Sequence, residues 1–104
     1  MMLALPAILL GTALAVTVAE RMPDYDIRPG CHAATALMSL DPKREAQCLN
    51  DEASARSEIA RQWAGFPPGD QTRCAAEAQL DGTPSYVDLL ECLTLAREAK
   101  AGGE

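Results

Sequence analysis

The chain has 104 residues, four cysteines, a single histidine and a formal charge of −6, from 15 acidic against nine basic side chains. With no basic cluster anywhere, that balance argues against nucleic acid or an anionic membrane surface as partner, because both are bound through grouped Lys and Arg. So short a chain buries a modest core, and natural proteins near this size often rely on covalent staples.

Residues 1–19, MMLALPAILLGTALAVTVA, carry no charged side chain. They read as a signal peptide, with small residues placed for cleavage after Ala15 or Ala19, or as an uncleaved membrane anchor. Nineteen residues of helix reach roughly 28 Å, close to the hydrocarbon thickness, although Pro6 and Gly11 weaken the helix. The first basic residue, Arg21, follows the apolar run, whereas a signal peptide normally opens on one. An apolar leader followed by an even number of cysteines points to an oxidising compartment, periplasmic or secreted, with tethering to the inner membrane as the rival.

Residues 20–30, with two prolines and a glycine among alternating polar residues, read as an extended linker outside the core. A disulfide-stapled domain over 31–100 follows. Cys31 opens a short run of helix formers, and Asp41-Pro42 is a helix start, Asp as N-cap and Pro at the first position. A long amphipathic helix is predicted from Pro42 to about Ala64. Leu49, Ala53, Ile59, Ala60 and Trp63 fall on its apolar side, while Arg44, Asp51, Glu58 and Arg61 fall on other faces. Gly65 and Pro67-Pro68 end it.

The plan then restarts. Asp70 can cap a short helix carrying Cys74, Asp81-Gly82-Thr83 makes a turn, and Thr83-Pro84 repeats the cap-plus-proline signal. The closing helix places Tyr86, Leu89, Leu90, Leu93 and Ala96 on one side, and 101–104 is a flexible tail. The fold class is therefore all-α: two successive helical hairpins, 31–66 and 70–100, each with two cysteines, a pattern consistent with internal duplication, preceded by an apolar N-terminal helix.

Four cysteines allow three pairings. Cys31 lies about ten residues before the first turn and Cys48 about seven after it, so the two sit at similar heights in a hairpin. Cys74 and Cys92 meet the same test. This favours Cys31–Cys48 and Cys74–Cys92, and leaves Cys31–Cys92 with Cys48–Cys74 as the alternative that would tie the halves together.

No cofactor or enzyme signature emerges. Structural zinc takes cysteines in pairs two to four residues apart, and reactive dithiols come as Cys-x-x-Cys; neither spacing occurs. His32 adjoins Cys31, yet Arg28 stands where haem attachment would need a further cysteine. His32 reads as an exposed residue beside a disulfide, and the serines lack a nucleophile signature. Trp63 and Phe66 are core residues by their phase, or, in the functional reading, an exposed patch contacting a partner.

The segments MPDYDIRPGC, REAQCLNDE, RQWAGF and PSYVDLLECL together resemble a group of small exported bacterial proteins of uncharacterised function built around four cysteines, a likeness spanning residues 22 to 100. A looser similarity is to the LprI-type lysozyme-inhibitor-like domain, in which a Trp helix, a cysteine, a Gly-Ser turn and a final Cys-Leu helix with Arg follow in this order. Here these are Trp63, Cys74, Gly82 to Ser85, Cys92-Leu93 and Arg97. Both likenesses imply a helical, disulfide-bonded envelope protein. The expected function is a non-enzymatic exported module that binds another envelope protein or serves a structural role. Inhibition of an envelope-degrading hydrolase such as lysozyme, or service as a membrane-tethered accessory subunit, are the alternatives.

Overall fold

The computed structural model describes residues 21–38 and 41–102. The apolar segment 1–19, with its signal-or-anchor reading and its helix, lies outside the described residues, as does the end of the tail. Four helices follow one another: α1 (Arg28–Met38), α2 (Pro42–Gln62), α3 (Pro68–Glu77) and α4 (Tyr86–Ala101), with a short 3-10 turn (Trp63–Gly65) closing α2. Among the described residues all regular structure is helical, and no helix is long and apolar enough to cross a membrane.

The start of α2 is the one its sequence announces. Asp41 accepts from the Lys43 N–H at 3.0 Å, and Pro42 occupies the first turn, where it forfeits no helical hydrogen bond. The other two starts differ from expectation. α3 begins at Pro68, two positions before the cap expected at Asp70. Asp70 instead bridges two helices, accepting from Arg73 at 3.3 Å and from Lys100 of α4 at 2.8 Å. The Lys100 hydrogen bond is the main reason its carboxyl is held below the usual carboxylate range.

α4 is capped by Ser85 and not by Thr83: the Ser85 hydroxyl accepts from the Asp88 N–H at 3.2 Å. Thr83 is already committed to the preceding turn, where its N–H and hydroxyl both donate to Asp81 Oδ1 at 2.9 Å and Gly82 takes φ +86°.

The core is small. Ile59, Trp63 and Phe66 from α2 and its closing turn meet Cys74 and Ala78 around α3, and Tyr86, Leu89 and Leu93 of α4. The inward side of α2 keeps Ile59 and Trp63, as expected, but is otherwise turned from the one expected. Glu52, Ala55 and Ile59 are buried, while Ala53 and Ala60 are exposed and Leu49 is half-buried. α2 packs chiefly on α4, with α1 laid against α2 and α3 against α4.

The supposed linker belongs to this core. Residues 22–27 run extended across α4, and the rings of Tyr25 and Tyr86 stand 4.9 Å apart. The Tyr86 hydroxyl accepts from the Tyr25 N–H at 2.7 Å and from Arg56 Nε at 3.3 Å, and donates to the Pro23 carbonyl at 3.1 Å. Tyr25 in turn donates its hydroxyl to the Ala75 carbonyl at 2.6 Å. One extended strap thereby joins α3 and α4, with Arg56 of α2 meeting it at the Tyr86 hydroxyl, and α1 starts directly after it, at Arg28 instead of Cys31.

Both disulfides follow the favoured pairing, with Cα separations of 5.6 Å for Cys31–Cys48 and 5.5 Å for Cys74–Cys92. No described cysteine is free. The two bonds sit in different surroundings. In α1 only Cys31 among the described side chains is buried, so that bond is the main tie of α1 to α2, beside an exposed His32–Glu45 contact. Cys74 is fully buried within the core.

Removing Cys31–Cys48 by alanine substitution of both residues is therefore expected to release α1 to hydrogen exchange while α2 to α4 keep their protection. Removing Cys74–Cys92 is expected to lower global stability by about 3 kcal/mol, read from the denaturant midpoint. Equal losses for the two pairs would contradict this division.

A second expectation concerns alkali. Burial, with a smaller contribution from Tyr86, pushes the Tyr25 phenol up from 10.0 to about 12. Between those values the folded chain holds a proton that the unfolded chain has released. Stability is thus intact below pH 10 and falls as pH rises towards 12. Urea midpoints across this range should show the fall, and Tyr25→Phe should flatten it.

Candidate interaction groove

The register of α2 on α4 is set by a buried carboxylate. Glu52, 6% exposed, accepts from the Tyr86 N–H through Oε1 and from the Ser85 hydroxyl through Oε2, both at 2.6 Å. The first turn of a helix carries N–H groups with no partner inside the helix and the positive end of its dipole, so an anion from a neighbouring helix is well placed there. Ser85 works in both directions, donating to Glu52 and accepting from Asp88. At the far end, Arg97 of α4 donates to Gln62 Oε1 at 2.7 Å and lays its guanidinium 4.4 Å from the centre of the Phe66 ring.

Held at both ends, α2 and α4 leave a groove of about 750 Å³ along one shared side. α4 contributes Val87, Leu90, Glu91, Thr94 and Leu95, and α2 contributes Asp51, Ser54, Ala55 and Glu58. Each set recurs at the three-and-four spacing of a single helix face. The lining of α4 is distinct from its core side: Tyr86, Leu89 and Leu93 point inward, while Leu95 is 63% exposed and Val87 37%. α4 is thus apolar on two sides: one packs into the core, and of the other Leu90 reaches the core's edge while Val87 and Leu95 stay exposed.

Three carboxylates border the groove and no basic side chain lines it. Glu58 pairs with Arg61 along its own helix, and Asp51 accepts from Gln47 at 2.9 Å. Glu91 has no hydrogen-bond or ion-pair partner among the described residues.

The residues expected to contact a partner lie elsewhere. Trp63 and Phe66 are 8% and 3% exposed, and neither lines the groove. Gln71 donates to the Trp63 carbonyl at 2.7 Å, Arg97 covers the Phe66 ring, and the core takes both aromatics. Their burial withdraws the exposed patch, because an apolar ring at the end of a core helix gains more from its neighbours than from water. His32 is exposed beside the first disulfide, its Nδ1 3.2 Å from Glu45 Oε1. The four cysteine sulfurs are bonded in two pairs, and among the described residues no group of His, Cys, Asp and Glu is arranged to hold a metal ion.

Sequence reading missed the groove, apart from placing Asp51 and Glu58 off the apolar side of α2. The available signal was in α4, where Val87, Leu90 and Leu95 form a second apolar stripe beside Tyr86, Leu89 and Leu93. A helix apolar nearly all round is one that has, or needs, neighbours on more than one side.

Comparison with protein-family models, curated proteins and solved structures finds no match to this chain.

Glu52→Ala is expected to lower stability by about 2 to 3 kcal/mol, because the buried Tyr86 N–H loses its acceptor. Glu52→Gln should cost less, its amide oxygen still accepting from Tyr86. Denaturant unfolding of the oxidised proteins separates the two variants, and an unchanged midpoint for Glu52→Ala would dissociate this carboxylate from the α2–α4 register.

Proposed function

We propose that the chain is an exported, non-enzymatic module that binds another protein of the cell envelope. The observation that carries this is the α2–α4 groove, an apolar face left open on a chain whose own core is small. Isolated apolar side chains are ordinary on any surface, whereas a contiguous apolar groove with a polar border is a feature of binding sites. Two disulfides fit an oxidising compartment, and the apolar segment 1–19 would deliver the chain to the periplasm or hold it at the inner membrane. The likeness to small exported four-cysteine proteins points the same way.

The two hairpins are read as copies of one unit. In support, each bond spans a similar length of chain, 17 and 18 residues, and joins a shorter helix to a longer one.

The test is positional. A photo-crosslinking amino acid at Leu95 should give a discrete adduct with one envelope protein in the native host, and the same amino acid at Ala99, exposed but outside the groove, should give none. Adducts at both positions, or at neither, would remove this reading.

A further inference from the structure

We infer that the partner element seated in the α2–α4 groove is a cationic amphipathic helix, an inference that rests on the protein-binding reading above. Shape comes first. Two helices present parallel stripes, Val87, Leu90 and Leu95 on one and Ser54 and Ala55 on the other, and the trough between them is the seat a third helix takes in a bundle. From Val87 to Leu95 the stripe covers about 12 Å, or roughly two turns, enough for the apolar face of a docking helix to place two or three anchors. The small side chains Ser54 and Ala55 give the floor its depth, and Leu95 stands proud at one end.

Charge then selects the occupant. The border holds Asp51, Glu58 and Glu91 with no basic residue in the lining, and the chain as a whole carries a net charge of −6. Of the three, Glu91 has no partner among the described residues and sits at the groove's edge on α4. A helix with Lys or Arg flanking its apolar stripe would find a carboxylate on each wall, whereas an acidic helix would meet like charge on both. A second copy of this chain would bring its own Asp51, Glu58 and Glu91 against the first, since a two-fold contact sets the same patch against itself. The charge pattern therefore disfavours self-association and favours a basic partner, approached faster at low ionic strength.

The probes are two labelled synthetic peptides of roughly four helical turns, one of Leu and Lys in an amphipathic pattern and one with Glu in place of Lys. Each is titrated by fluorescence anisotropy into the exported protein with both disulfides formed. The Leu/Lys peptide should bind and gain helicity, and the Leu/Glu peptide should not. Leu95→Asp should weaken Leu/Lys binding by about tenfold or more, because it replaces the most exposed apolar contact of the groove with a charge that must be desolvated. Glu91→Lys should weaken it less, and so should added salt that shortens the screening length from about 10 Å to about 3 Å.

Both substitutions fall at exposed positions, and unchanged circular dichroism and disulfide mapping establish that the variants are folded. Affinity indifferent to both substitutions would place the peptide elsewhere and overturn the inference. So would equal binding of the Leu/Glu peptide, or a dimer of the unliganded protein that Leu95→Asp dissociates. If the Leu/Lys peptide fails while the Leu95 adduct forms in the native host, the charge class of the partner is wrong and the protein-binding reading stands. If both fail, the reading falls with it.

Discussion

Among its described side chains, α1 buries Cys31 alone, and that side chain is bonded to α2. Without the bond, the helix would have almost no apolar burial to set against the entropy of ordering eleven residues, which at roughly 1 to 2 kcal/mol per residue far exceeds one small side chain. The second bond has a different setting, since Cys74 is fully buried in the core and joins α3 to α4. A chain this short keeps much of its surface wet, so the cross-links take over part of the restraint that a larger core supplies elsewhere. Two cross-links with this share of the restraint fit a chain that folds in an oxidising environment.

Inside that covalent frame, the packing of α2 on α4 depends on polar groups placed with little slack. Glu52 occupies a buried position on α2 of a kind apolar residues usually take. As a carboxylate it reaches the first turn of α4 and fixes both the height and the rotation of one helix on the other, because two acceptor oxygens meet two donors on adjacent residues. A buried charge with its hydrogen bonds satisfied specifies an arrangement more than it strengthens it. The Tyr86 hydroxyl acts similarly for the strap, using its donor and its acceptor capacity on Pro23, Tyr25 and Arg56. These contacts decide which side of α4 faces inward, and so which side is left to form the groove.

How much of this was legible in the sequence depended on whether the signal was local. Asp41-Pro42 could be read directly, because cap and helix lie in the same few residues, and the disulfide pairing followed from hairpin heights. Thr83-Pro84 misled because two residues capable of capping stand close together, and the turn at Gly82 claimed Thr83, leaving Ser85 for the helix. Asp70 misled for a related reason, its carboxylate serving Lys100 across the helix pair. On α2, periodicity of apolar residues alone does not find the whole inward side, because one of its buried positions is a charged residue, Glu52. Residues 22–27 look like a linker by composition, and only the distant Tyr86 hydroxyl makes them part of the core. Trp63 and Phe66 drew attention as aromatics, whereas the groove is built of Val87, Leu90 and Leu95, residues that look like more of the same core.

The openness of the groove follows from where the staples are. In a four-helix chain without cross-links, α1 or α3 could swing onto the free side of α2 and α4 and cover the stripe, and burial would favour that rearrangement. Here neither helix is free to do so. Cys48 fixes α1 against one side of α2, Cys92 fixes α3 against one side of α4, and no residue of α1 or α3 lines the groove between them. The bonds that compensate for a small core also prevent the chain from enlarging it. The apolar stripe on α4 is consequently a surface that α1 and α3 cannot cover, and the acidic border makes a second copy a poor substitute. A basic helix from another protein satisfies both the apolar floor and the charged border, and the covalent frame would let it do so with little rearrangement of the groove.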